Sequence, residues 1–293
     1  MTNIHVEEAG AVRVITIDRR ERFNSLDIET ARDFRRAGLQ CARDTAVRAV
    51  VLRGLPGVFC SGADLKFIRE RQPRYGDAFK EILEYIHSSI SEIRRAPKPF
   101  IAAVDGVAAA GGFGIAMACD LVVASTRATF EWAYGKTALT GAESSTFLLP
   151  RLVGIRRAME LVLLNPRLTA RDALDWGLVT AVYDAEALEG QALEMAQRLA
   201  DGPARAYAVA KDLLNASAGF DRFDLHLDRE LEELTRAADG EEVAEGMRAF
   251  FEKRPAHFGL KRSTTEDTGD TEEPSCTGKA FPSVSSVSSV VER

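Results

Sequence analysis

The stretch Val107-Ala108-Ala109-Ala110-Gly111-Gly112-Phe113-Gly114-Ile115-Ala116-Met117-Ala118-Cys119-Asp120 reads as the junction between a strand and a helix of small residues. It follows the apolar, β-type run Pro99-Phe100-Ile101-Ala102-Ala103-Val104. The predicted helix opens at Gly111, so Gly111 and Gly112 leave its first turn bare. A helix N-terminus presents unpaired N–H groups and the positive end of a dipole. With no side chain at either glycine, a ligand oxygen can approach those donors closely. The same pattern also serves tight helix–strand packing, so it points to a site only with a partner.

That partner lies upstream. Val58-Phe59-Cys60-Ser61-Gly62-Ala63-Asp64-Leu65-Lys66 again follows a β-type run, Ala49-Val50-Val51-Leu52. Two glycine-containing strand ends, each aiming one N–H at the same oxygen, can form a two-donor oxyanion hole. Further outward, residues 4–18 alternate as a hairpin turning at Ala9-Gly10. The spacing predicts a helix over 27–45, a strand over 48–53 and a helix over 76–95. A strand over 99–105, a helix from 111 and a strand over 120–125 follow. Strands alternating with helices argue an α/β class with parallel pairing. The unit recurs about every fifty residues, as the turns of a spiral would. From 185 to 254 the patterning is helical. Residues 263–293 are rich in Ser, Thr, Glu and Asp, and are expected to form a disordered tail.

Composition excludes several classes. The chain has 293 residues, 46% hydrophobic and 28% charged, with a net charge of −6. These are the proportions of a soluble globular protein. No basic block marks a nucleic-acid partner, and no apolar run reaches membrane-spanning length. The N-terminal residues lack a secretory pattern, so the expected setting is cytoplasmic. Cys41, Cys60, Cys119 and Cys276 have neither metal-ligand spacing nor disulfide density, which suits free thiols in a reducing compartment. No metal or redox-cofactor motif is apparent.

The glycine motifs resemble the crotonase family, the enoyl-CoA hydratase/isomerase superfamily. Further matches are Arg22-Phe23-Asn24-Ser25-Leu26, Pro97-Lys98-Pro99-Phe100-Ile101-Ala102-Ala103-Val104-Asp105-Gly106, Leu149-Pro150-Arg151-Leu152-Val153-Gly154, Asp175-Trp176-Gly177-Leu178-Val179 and Glu245-Gly246-Met247-Arg248-Ala249-Phe250-Phe251-Glu252-Lys253-Arg254. They run in family order over nearly residues 1 to 260. The resemblance implies a right-handed ββα superhelix over 1–200 and a helical oligomerisation region over 201–262, assembled as a homotrimer or a dimer of trimers. It implies a thioester substrate whose carbonyl accepts the N–H groups of Ala63 and Gly111. Its carrier would be coenzyme A or the phosphopantetheine arm of an acyl-carrier protein, with no other cofactor. For the carrier the resemblance implies Arg22 and, around it, Phe23, Ser61, Ala63, Asp64, Leu65 and Lys66, with Lys253 from the C-terminal helix.

The family's acids are missing from their usual places. One falls at Gly114, a helical turn after the oxyanion glycine, and the other at Tyr134. The aspartate of the isomerase and dehalogenase branches falls at Ala142. Three candidates remain. Glu143 is the nearest carboxylate, or else an acidic residue that supports the start of a helix at Ser144-Ser145-Thr146. Tyr134 is a phenolic proton donor or an aromatic wall. His87 matches a histidine that assists proton transfer in the 4-chlorobenzoyl-CoA dehalogenase-like branch, or is simply packed. Strand alternation in Thr129-Phe130-Glu131-Trp132-Ala133-Tyr134 would put Phe130, Trp132 and Tyr134 toward a bulky or aromatic acyl group and turn Glu131 away. A hydratase usually needs two carboxylates. With at most one acid/base group in evidence, the expected reaction is double-bond isomerisation or related single-base chemistry through an enolate. The alternatives are a non-standard hydratase or dehydratase, a decarboxylase, a thioester hydrolase, or a thioester-binding protein without catalysis.

Overall fold

A computed structural model describes residues 2–71 and 73–258. The hairpin is β1 (Ile4–Ala9) and β2 (Val12–Ile17), antiparallel, with Gly10 at φ 63° in its turn. Helix α1 (Ile28–Arg43) starts where the Asp27 side chain accepts the Thr30 N–H. Three turns of a spiral follow, each giving a strand to one sheet and a short strand to a second. They are β3 (Ala49–Arg53) with β4 (Val58–Cys60), β5 (Phe100–Val104) with β6 (Val107–Ala109), and β7 (Leu121–Ser125) with β8 (Thr129–Glu131). Helices α2 (Leu65–Arg69) and α3 (Tyr75–Arg95) follow the first pair, and α4 (Gly111–Ala118) follows the second. After the third come α5 (Ser145–Leu152), α6 (Gly154–Leu164), β9 (Arg167–Thr169), α7 (Ala170–Asp175) and β10 (Ala181–Tyr183).

The first sheet runs β1-β2-β3-β5-β7-β10 and is parallel beyond the hairpin. The second runs β4-β6-β8-β9. Alternation along each strand divides the first sheet's side chains between two cores. Ile15, Ile17, Val50, Leu52, Ala102 and Val104 face the main core with α1, α3 and α4. Val12, Val14, Val51, Ile101 and Val123 face outward and are covered by α8 (Leu188–Ala200). Its buried Leu188, Ala192, Ala196 and Ala200 recur every four residues, the spacing of one helix face. Helices α9 (Ala204–Ser217), α10 (Phe223–Ala238) and α11 (Glu241–Glu252) continue the helical C-terminal stretch. The expected tail at 263–293 lies outside the described residues. Among the described residues, no helix is long and apolar enough to cross a membrane.

One consequence governs the site. Strands β4 and β6 pair in parallel, so the chain segments leaving them emerge side by side. Those segments are Ser61–Asp64 and Ala110–Gly112.

Candidate active site

The two strand ends meet at van der Waals distance. A Cβ placed on Gly62, at φ +89°, would stand 2.9 Å from the Gly111 nitrogen. Asn24 ties the first end down from within: its amide donates to the Val58 and Phe59 carbonyls at 2.9 and 3.1 Å. Leu26 bridges to Ala63 through the Gly62 carbonyl and the Asp64 N–H, which turns the Ala63 N–H away from that bridge. The second end is strained. Ala110 holds φ 46° and ψ −120°, a region that L-residues with a Cβ avoid, and it delivers the chain directly into Gly111. Ala63 and Gly111 line one cavity of about 460 Å³.

Glu143 enters this cavity from the loop before α5. A Cβ on Gly111 would lie 2.7 Å from Glu143 Oε1, so the carboxyl stands against the first turn of α4. The space that a side chain at Gly114 would fill is taken by Glu143 itself: a Cβ there would meet its carbonyl oxygen at 2.4 Å. The Tyr134 hydroxyl donates a hydrogen bond to Glu143 Oε2. Burial pushes the Glu143 carboxyl up to about 8; the Tyr134 hydrogen bond pulls the other way, and the Glu230 charge adds to the rise. Tyr134 itself is raised by burial and by the Glu143 charge.

His87 stands one layer behind, outside the cavity lining. Its Nε2 accepts the Glu143 N–H at 3.1 Å, and burial lowers its pKa to about 4. The ring is therefore neutral, with Nε2 engaged by the Glu143 backbone. Glu230, on α10, completes the group. Its carboxylate accepts the Ser144 N–H at 2.8 Å, the Thr146 N–H at 3.0 Å and the Thr146 hydroxyl. It thus caps α5 from a distant helix, since Ser144 supplies no side-chain cap of its own. Burial raises the Glu230 carboxyl to about 7 against the pull of these donors.

The cavity is apolar at depth and charged where it is open, with exposed Glu21 among the cations. Buried Phe79, Ile82, Leu83, Leu139 and Leu234 line it, together with exposed Lys66, Lys136 and Arg167. Arg22, Phe23, Ser61, Asp64 and Leu65 line it too. Lys253 does not; it lies in an adjoining depression that shares Lys136 and Phe250. The Asp64 carboxylate is occupied by the N–H groups of Lys66 and Phe67 and by Arg19. Burial alone would raise its pKa, but the Phe67 N–H and the Arg19 guanidinium outweigh burial and hold it low. Among the described residues, no cluster of three or more His, Cys, Asp or Glu could hold a metal ion.

The family model described as enoyl-CoA hydratase/isomerase matches residues 7–261. The chain belongs to that family. The 1,2-epoxyphenylacetyl-CoA isomerase of Escherichia coli (strain K12) is 34% identical over 256 residues, covering 87% of this chain and 96% of that protein. The 4-chlorobenzoyl coenzyme A dehalogenase-2 of an Arthrobacter species is 34% identical over 211 residues, 72% of this chain and 76% of that one. The enoyl-CoA hydratase structure from Mycobacterium avium subsp. paratuberculosis K-10 superposes with a TM-score of 0.80 at 33% identity, covering 88% of this chain and 99% of that one.

Within this enoyl-CoA hydratase/isomerase fold, the expected aromatic face is not formed. Strand β8 ends at Glu131, and Ala133 at φ 62° turns the chain into a short 3-10 turn at Tyr134–Thr137. Alternation therefore stops before Trp132. Phe130 and Trp132 pack in the core, and Glu131 lines the cavity instead of turning away, paired with Lys136 and Arg167. Glu143 is not the cap of α5, because Glu230 fills that place. Glu230 was missed in the sequence, although a signal existed. Buried Phe223, Leu227, Glu230, Leu234 and Ala238 form one helical stripe, and a carboxylate inside an apolar stripe marks a buried polar partner.

Proposed function

We propose that this protein is an acyl-CoA enzyme that stabilises a thioester enolate between the Ala63 and Gly111 N–H groups. Glu143 serves as its single acid/base group, and the reaction is the movement of a double bond. The observation that carries the reading is the Glu143 carboxyl, buried in the cavity against the first turn of α4. A carbonyl seated at that turn would bring its neighbouring carbon to the same carboxyl. Negative charge developing on the oxygen is then met by fixed dipoles that need no rearrangement. The Tyr134 hydroxyl, donating to Oε2, supports the ionised carboxylate and leaves Oε1 on the Gly111 side to take or return a proton. One carboxyl can lift a proton from one carbon and deliver it to another, which is all an isomerisation requires.

Coenzyme A as the carrier is supported by Arg22 and Lys66 in the cavity lining, since its phosphates need charge partners there. The buried wall of Phe79, Ile82, Leu83, Leu139 and Leu234 favours an uncharged, apolar acyl group. The argument for an aromatic acyl group lapses with Phe130 and Trp132, which lie outside the lining.

The test is a turnover screen of enoyl-CoA esters by mass spectrometry, run in D₂O and in H₂¹⁸O, with wild type and Glu143→Gln. We expect a moved double bond, deuterium uptake and no ¹⁸O, with kcat lower by about 10²–10⁴ in the variant. Uptake of ¹⁸O would replace isomerisation with water addition or hydrolysis. Full activity in Glu143→Gln would remove Glu143 from the chemistry. Because the base must be ionised and its carboxyl sits at about 8, kcat/KM should climb with pH and level off above that value. A profile that falls there would make Glu143 a proton donor instead.

A further inference from the structure

We propose that Glu230, carried on α10, is a positioning residue that locks the loop 141–146 in the one conformation that sets the Glu143 carboxyl against Gly111. The proposal rests on the reading of Glu143 as the acid/base group.

The loop needs an external hold. Gly141, Glu143 and Ser144 have φ of 93°, 50° and 63°. Left-handed conformations at non-glycine residues are unfavourable and persist only where surroundings enforce them. Within the loop the Ser145 N–H donates to the Ala142 carbonyl at 3.0 Å, while the Ser144 and Ser145 hydroxyls are buried without a hydrogen-bond partner. Enforcement comes from the Tyr134 hydroxyl, which reaches the Ala142 carbonyl at 3.3 Å and Glu143 Oε2, and from two helices. From α3, His87 Nε2 accepts the Glu143 N–H. From α10, Glu230 accepts the next main-chain donors, Ser144 and Thr146, and the Thr146 hydroxyl. Reactive groups tolerate little misplacement, and an error of about 1 Å can cost about 10²-fold in rate.

The chemistry of position 230 is specific. All three donors point at it, and its side chain is 3% exposed. Only a carboxylate accepts on both oxygens; a glutamine amide would turn an NH₂ toward an N–H donor. Its charge also bears on Glu143. Facing Glu143 are Tyr134 from the turn after β8, His87 from α3, Glu230 from α10, Cys60 from β4 and the α4 N-terminus. Above its own value of about 7, Glu230 is the charged member of this group, and it opposes ionisation of Glu143. His226 is held at the Thr146 hydroxyl, 2.8 Å away, and 3.7 Å from Glu230.

Two readouts test this in Glu230→Gln and Glu230→Asp, with Thr146→Val as a milder variant should the first fail to fold. The first readout is the pH profile of kcat and KM. The second is the infrared titration of the Glu143 carboxyl, read as wild type minus Glu143→Gln, which needs no substrate. We expect Glu230→Gln to lower kcat about 10²-fold with KM little changed, and to move the Glu143 midpoint below about 8. Glu230→Asp, which keeps the charge but reaches less far, should restore the midpoint and only part of kcat. Thr146→Val should lower kcat in the same direction by less. Wild-type kcat and midpoint in Glu230→Gln would overturn the proposal. So would a kcat loss matched by early unfolding with an unmoved midpoint. If wild type turns over no thioester yet the midpoint moves in Glu230→Gln, the positioning stands and the proposed reaction falls.

Discussion

Gly111 shows how much one missing side chain can decide. Its Cβ position lies 2.7 Å from Glu143 Oε1 and 3.4 Å from the Gly62 Cα, so any side chain there intrudes on both the acid and the neighbouring strand end. Gly111→Val should therefore remove activity by two routes, blocking the carbonyl seat and displacing the carboxyl. Loss of one oxyanion donor typically costs about 10²–10³ in rate, and turnover here should fall at least that far. Circular dichroism and the melting temperature would establish that the variant folds. A folded Gly111→Val protein of full activity would refute the placement of the oxyanion hole. Under the proposed mechanism glycine at 111 is a chemical requirement, whereas at Gly112, whose Cβ would stand 2.0 Å from the Cys60 carbonyl, it is a packing one.

At the scale of elements, the site depends on two short strands, β4 and β6, that hold their ends in register. Asn24 is the fastening: fully buried, it donates to two β4 carbonyls and accepts the Arg19 N–H. Asn24→Ala leaves these groups unpaired, so it should cost about 1–3 kcal/mol in chemical denaturation, with reduced activity from a loosened Ala63. A change within experimental error would make those bonds incidental. The long elements were legible because their apolar periodicity persists: the α3 buried positions Phe79, Ile82, Leu83, Ile86, Ile90 and Ile93 repeat at helical spacing. The glycine strand ends were legible as a pair, each following a β-run, whereas either alone would equally serve close packing. The three-residue strands were not, being too short to develop a period. For the same reason Trp132 and Tyr134 were misassigned to one strand face, when the strand stops at Glu131. The Glu143–Glu230 relation joins residues far apart in the chain, and no local pattern encodes such a meeting.

At the scale of the molecule, the spiral does not close the cavity alone. Leu234 from α10 and Phe250 and Phe251 from α11 complete its wall. The C-terminal helices therefore belong to the site as well as to the fold. Burying Glu143 and Glu230 also makes stability depend on pH. Both have folded pKa values above the ordinary carboxylate value, at about 8 and about 7. The folded state then binds more protons than the unfolded one, so their contribution is fully present below about 4.5 and is lost as pH rises through those values. Glu143→Gln removes one of these titrations, so its melting temperature should gain on wild type as pH increases from 5 to 9. A gap that stays constant across that range would contradict the burial of an ionisable group at 143. Gly114 carries a last consequence. Its side-chain space is filled by the main chain and Cβ of Glu143, so an acid at 114 and the present loop exclude one another. A carboxylate grafted at 114 would therefore not furnish a second acid beside the first; it would evict the loop that carries the one already there.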